Sequence, residues 1–133
     1  MKKYFDLPLI LTITALSLCS FTMKPKTYTY IDGNNNAYSI ASTVVEYKPV
    51  SKENSSSGTY SGGEAKKITI TTEQFLKIEG LINAIKKDKK NYVDTRQMGC
   101  GTLAVNNRKP VYIAMGSENK KALEAELLVI LGK

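Results

Sequence analysis

The run Thr71-Thr72-Glu73-Gln74, opening onto Phe75, Ile78, Ile82 and Ile85, constrains the fold of this chain more than any other segment. Thr71 as N-cap and Gln74 three residues later make a capping box, in which two backbone donors are satisfied reciprocally. Ile70, just before the cap, is placed to pack on Phe75 as a hydrophobic staple. Apolar residues then recur at helical spacing, with Leu81 widening the stripe, so the segment predicts an amphipathic helix. Lys86, Lys87, Lys89 and Lys90 close it, where cations complement the negative end of the helix dipole. Ser117 announces a second helix, which carries Leu123, Leu127, Ile130 and Leu131 and stops at Gly132. Each helix needs an apolar surface to cover.

Strand-like segments supply that surface. Thr27 to Asp32 alternates, with Tyr28 and Tyr30 on one face, and Asp32-Gly33-Asn34-Asn35-Asn36 reads as a turn. Ala37 to Lys48 resumes the strand pattern with Tyr38, Ile40, Val44, Val45 and Tyr47, and Pro49 ends it. The Ser-rich stretch 51–58 has nothing to bury and predicts a loop. Lys66 to Thr71, with Ile68 and Ile70, is a further strand. A hairpin follows, Leu103 and Val105 on one arm and Val111, Ile113 and Met115 on the other, around Asn106-Asn107-Arg108-Lys109. The order predicts an α+β fold: a two-layer sandwich in which two helices cover one face of a largely antiparallel sheet of four to five strands. The opposite face is expected to be open to solvent or to a partner.

The N-terminus has the grammar of an export signal. Lys2 and Lys3 precede an uncharged apolar run from Leu7 to Leu18, too short for an ordinary membrane span. Leu16-Ser17-Leu18-Cys19 matches a bacterial lipoprotein box at its first and last positions, whereas Leu18 stands where a small residue is preferred. Ala15 and Ser17 fit ordinary signal peptidase. Cys19 is therefore either the lipidation site, giving membrane attachment, or lost with the signal. The expected organisation is a signal over 1–19, a tether over 20–26 and one domain over 27–133. Removing the signal takes away Lys2, Lys3 and Asp6 and lowers the formal charge from +7 to +6. The expected location is the cell envelope, periplasm or exterior.

Composition excludes much chemistry. The chain has no histidine, which rules out a Ser-His-Asp triad, a Cys-His pair and imidazole ligands for zinc. Its two cysteines are Cys19 and Cys100, so with Cys19 lipidated or removed no internal disulfide can form, and Cys100 reads as a small buried hydrophobe. The carboxylates are scattered, no P-loop follows Ser61-Gly62-Gly63, and no nucleic-acid signature is present. Neither a cofactor nor a metal nor a catalytic residue is expected.

Binding is the expected job. Tyr28, Tyr30, Tyr38, Tyr47 and Tyr60 lie among Asn, Ser and Gly, the residue set that protein-binding surfaces favour. With Ser61, Gly62 and Gly63 they form the candidate surface for a protein partner, set on the open face of the sheet. The alternative is a structural envelope lipoprotein whose basic helix end, Lys86, Lys87, Lys89 and Lys90, contacts anionic polymer or lipid.

From Tyr60-Ser61-Gly62-Gly63 through the Ile68/Ile70 strand, the 72–87 helix, the strand pair and the Leu-rich last helix, residues 44–131 resemble emfourin. That family of small bacterial proteins inhibits thermolysin-type metalloproteases. The resemblance implies protease inhibition. The family pattern continues with an aromatic and a second glycine where Glu64-Ala65-Lys66 stands here, and no inhibitory contact residue carries over. In general layout the chain also resembles small exported proteins and envelope lipoproteins with a Ser-rich loop before a Tyr-Ser-Gly-Gly segment.

Overall fold

In a computed structural model, residues 25–133 form an α+β fold in which one antiparallel sheet is covered by two helices. The expected export signal over 1–19, with Cys19, and the first part of the expected tether lie outside these described residues. The strands are β1 (Tyr28–Ile31), β2 (Ala37–Ile40), β3 (Val44–Lys48), β4 (Lys66–Thr69), β5 (Tyr92–Val93), β6 (Gly101–Val105) and β7 (Val111–Ile113). Helix α1 (Thr72–Lys87) enters between β4 and β5, and α2 (Glu118–Leu131) follows β7. The sheet order is β4-β3-β2-β1-β6-β7-β5.

Seven strands stand where four to five were expected, for two local reasons. The stretch 37–48 is two strands joined by a tight turn, in which the Ala41 and Val44 backbones bond reciprocally. Tyr92–Val93, too short to show a period, pairs with β7 as an edge strand. The β1–β2 turn is built on Asp32, whose Oδ1 accepts the backbone N–H of Asn34 (2.9 Å) and of Asn36 (3.0 Å). Asn35 there adopts a positive φ of 70°, which asparagine tolerates.

Helix α1 starts as its sequence predicts: Thr71 Oγ1 accepts from the Gln74 N–H and Gln74 Oε1 accepts from the Thr71 N–H. Ser117 caps α2, and Gly132 ends it in the left-handed conformation at φ 72°. Ile78, Ile82 and Ile85 of α1 and Leu123, Leu127 and Leu131 of α2 join one buried cluster with Ile40, Val45, Leu103 and Ile113 of the sheet. Burial of each such side chain contributes about 1.5–3 kcal/mol. Cys100, just before β6, is buried and unpaired.

The tyrosines belong to that cluster, which corrects the expected orientation. Tyr28, Tyr30, Tyr38 and Tyr47 are 1%, 0%, 3% and 2% exposed and face the helices, not solvent. Register explains this. Tyr28 pairs with Ile40, Tyr30 with Tyr38 and Leu103, and Tyr38 with Tyr47, so the tyrosines share a face with the largest apolar residues. Their strand neighbours Thr29, Ser39, Glu46 and Ala104 fall on the other face. A face that buries the larger side chains gains more from exclusion of water, and the period of two then leaves no choice for the rest.

Candidate functional site

Burying four tyrosines puts four hydroxyls in the interior, and each finds an acceptor. Tyr28 donates to Glu79 (2.7 Å), Tyr30 to Glu124 (2.6 Å), Tyr38 to Asp32 (3.4 Å) and Tyr47 to the Gly62 carbonyl (2.8 Å). Burial, reinforced by the neighbouring carboxylates, raises the Tyr28, Tyr30 and Tyr38 hydroxyls far above the ordinary tyrosine range. Burial pushes Tyr47 up to about 12. The carboxylates that looked scattered in sequence are thus brought onto tyrosines by the fold.

Two of these rings, those of Tyr38 and Tyr47, reach one cavity of about 370 Å3 between the β1–β2 turn and α2. Tyr38, Tyr47 and Tyr60 wall it, with Asp32 and Glu124 as its carboxylates and Leu128 as its apolar side. Asp32 is 9% exposed and is held by backbone N–H groups, the Asn36 amide and the Tyr38 hydroxyl, with no cation in ion-pair reach among the described residues. Glu124, by contrast, pairs with the buried Lys120 at 2.9 Å. Asn36, 3% exposed, ties the wall together: Nδ2 donates to Asp32 and to Tyr60 Oη, and Oδ1 accepts the Val50 N–H.

The Tyr60-Ser61-Gly62-Gly63 segment closes this cavity. Gly62 is buried, and a Cβ there would stand 2.1 Å from Asn36 Oδ1 and 2.7 Å from Pro49 Cβ, so only glycine fits. Of the eight residues expected to meet a protein partner, Tyr60, Ser61 and Gly63 are exposed; the other five are interior. Asp32, Lys120, Glu124 and Lys133 are site residues that sequence reasoning did not single out. Their convergence depends on a turn meeting α2 about 90 residues later, for which no local signal exists.

The basic helix end resolves into two different places. Lys87 and Lys90 border a depression shared with Asp88 and Glu118, where the charges balance. Lys86 and Lys89 border another, joined from the β6–β7 turn by Arg108 and Lys109, with Tyr92, Leu103, Val105 and Val111 as its remaining lining. No carboxylate borders this second depression, of about 360 Å3, and among the described residues none of its four cations forms an ion pair. Spacing explains the split. Lys86 and Lys89, three apart, emerge on one side of the chain and Lys87 and Lys90 on the other. Asn106 and Asn107, both at positive φ, make the tight turn that carries Arg108 and Lys109.

Among the described residues, no group of three or more Cys, Asp or Glu side chains is placed to hold a metal ion, and no helix is long and apolar enough to cross a membrane. The molecule is a two-layer domain of helices on an antiparallel sheet, with a polar interior cavity at one end and a basic, apolar-floored depression elsewhere. No protein-family model, curated protein or solved structure matches the chain.

Proposed function

We propose that the protein is an exported, non-enzymatic binding domain that docks on anionic lipid of the cell envelope through Lys86, Lys89, Arg108 and Lys109. One observation carries the reading: four cations from two distant segments ring an apolar floor without a carboxylate among them. Surface lysines alone are usually solvated. Here the charges are concentrated by the fold, and the floor offers acyl chains or glycerol a place that water leaves readily. A Lys or Arg close to an anionic membrane surface is worth about 1 kcal/mol, so four give about 4 kcal/mol, roughly a thousandfold in partition at moderate salt. The Lys87/Lys90 side adds little because Asp88 and Glu118 oppose it. The export signal puts such a domain where phosphate headgroups are, and lipid on Cys19 would add a second anchor.

Burial of Tyr28, Tyr30, Tyr38 and Tyr47 is what moves the reading away from a tyrosine-rich protein-binding face. The test is sedimentation with vesicles of phosphatidylcholine containing or lacking phosphatidylglycerol, over a range of salt. Binding that requires phosphatidylglycerol and falls steeply between low and high salt supports docking by charge. Equal binding to both vesicles, unchanged by salt, removes it.

A further inference from the structure

The cavity between the β1–β2 turn and α2 already holds an ammonium group, the protein's own. Lys133 Nζ sits 4.6 Å above the centre of the Tyr47 ring, donates to the Gly62 carbonyl at 2.9 Å and lies 3.4 Å from Tyr47 Oη. An aromatic face, a carbonyl oxygen and a hydroxyl oxygen are together a receptor for R–NH3+, since the ring quadrupole attracts the charge and the oxygens take the N–H donors. Tyr38 packs on Tyr47 with ring centres 5.1 Å apart, and Tyr60 lines the same space, so three aromatic rings surround one opening.

The charges of the cavity are incompletely matched. Lys120 satisfies Glu124 at 2.9 Å, whereas the buried Asp32 carboxylate has only neutral donors and Lys133 has no carboxylate within ion-pair distance among the described residues. A negative charge and a positive charge therefore line one cavity without meeting. Lys133 itself is exposed and reaches in on a flexible side chain from beyond the end of α2. Its hold is a surface hold, and exchange for another ammonium costs little packing.

We propose that this cavity is a binding site for the primary ammonium group of a small alkylamine, which displaces Lys133 from the Tyr47 face. The ligand's ammonium takes the ring, the Gly62 carbonyl and the field of Asp32, and its alkyl stem lies against Leu128. A primary ammonium is required because the site offers oxygens that need N–H donors, which a quaternary ammonium lacks. Nothing in this site shares residues with the basic depression, so the two activities are independent.

The experiment titrates n-butylammonium and tetramethylammonium into the protein, reading backbone amide shifts of Gly62, Gly63 and Asn36. Lys133→Ala removes the internal competitor. If Lys133 fills the site about nine-tenths of the time, the variant binds n-butylammonium roughly tenfold more tightly than the unchanged chain. Tyr60→Leu, which leaves the Asn36 amide its bond to Asp32, then weakens that binding, and so does Asp32→Asn if the turn survives. Equal affinity in the presence and absence of the Lys133 side chain overturns the proposal, as does no binding to Lys133→Ala. Tetramethylammonium binding as tightly as n-butylammonium overturns the assignment to a primary amine.

Discussion

The tyrosine-walled cavity and the basic depression use the same cation, a lysine ammonium, in opposite ways. In the cavity the buried polar groups bond to one another: Lys120 to Glu124, Tyr38 to Asp32, and Asn36 to Asp32 and Tyr60. In the depression Lys86, Lys89, Arg108 and Lys109 have no carboxylate partner among the described residues. Groups matched internally hold the fold, because removing one strands another in a medium that cannot solvate it. Unmatched surface charges contribute little to stability and leave their interaction energy for something outside. Substitutions of the buried, mutually bonded groups of the cavity should therefore read out as unfolding and substitutions in the depression as lost binding.

The largest effect is expected at Gly62. Gly62→Ala drives a methyl into Asn36 Oδ1 and Pro49, and should destabilise by about 3 kcal/mol in chemical denaturation, the upper end for overpacking. A neutral result would separate the cavity wall from the stability of the fold. Glu124→Gln comes next. It leaves Lys120, 4% exposed, without its counter-charge and weakens the acceptor for Tyr30, at a cost of about 2 kcal/mol given that Glu124 is partly exposed.

Alkaline pH probes the same cluster. Each buried tyrosine has its folded value raised above the unfolded value of about 10. The stabilisation is fully present below pH 10 and is lost as pH climbs, since the unfolded chain ionises there while the folded one does not. For Tyr47 the loss runs from about pH 10 to its folded value of about 12. Each such tyrosine removes about 1.4 kcal/mol per pH unit over its window. Denaturation series between pH 9 and 11.5 should show this slope, smaller by one tyrosine in Tyr47→Phe. A flat profile would contradict the buried hydroxyls. The smallest effect belongs to the depression: Arg108→Glu with Lys109→Glu should change stability by no more than about 0.5 kcal/mol.

Local features of the fold were legible in the sequence wherever a short-range rule applied. The capping box at Thr71 and Gln74, the Ser117 cap, the Gly132 stop and the turn at 32–36 all act over a few residues, and all are present. The two helical stripes and their shared face follow from periodicity. The direction of the tyrosines did not. Its clue was parity: Tyr38 and Ile40 fall on even positions and Val45 and Tyr47 on odd ones. The apolar face thus changes register across Ala41 to Thr43, which one continuous strand cannot do. Reading that change gives both the missing turn and a face carrying Tyr38, Ile40, Val45 and Tyr47 inward. The convergence of Arg108 and Lys109 on Lys86 and Lys89 had no such clue, because it depends on where the β6–β7 hairpin lies relative to the end of α1.

Two charge reversals of equal size distinguish a binding site in the depression from a general effect of net charge. One variant carries Arg108→Glu and Lys109→Glu; the other carries Lys87→Glu and Lys90→Glu, on the side where Asp88 and Glu118 already balance the lysines. Both change the net charge alike and leave residues 1–24 untouched. Affinity for phosphatidylglycerol vesicles at moderate salt should fall at least a hundredfold in the first variant, from the loss of about 1 kcal/mol per cation and the added repulsion. In the second it should fall by less than about tenfold. Equal losses in the two variants would mean that only net charge matters, and would contradict a binding site in the depression.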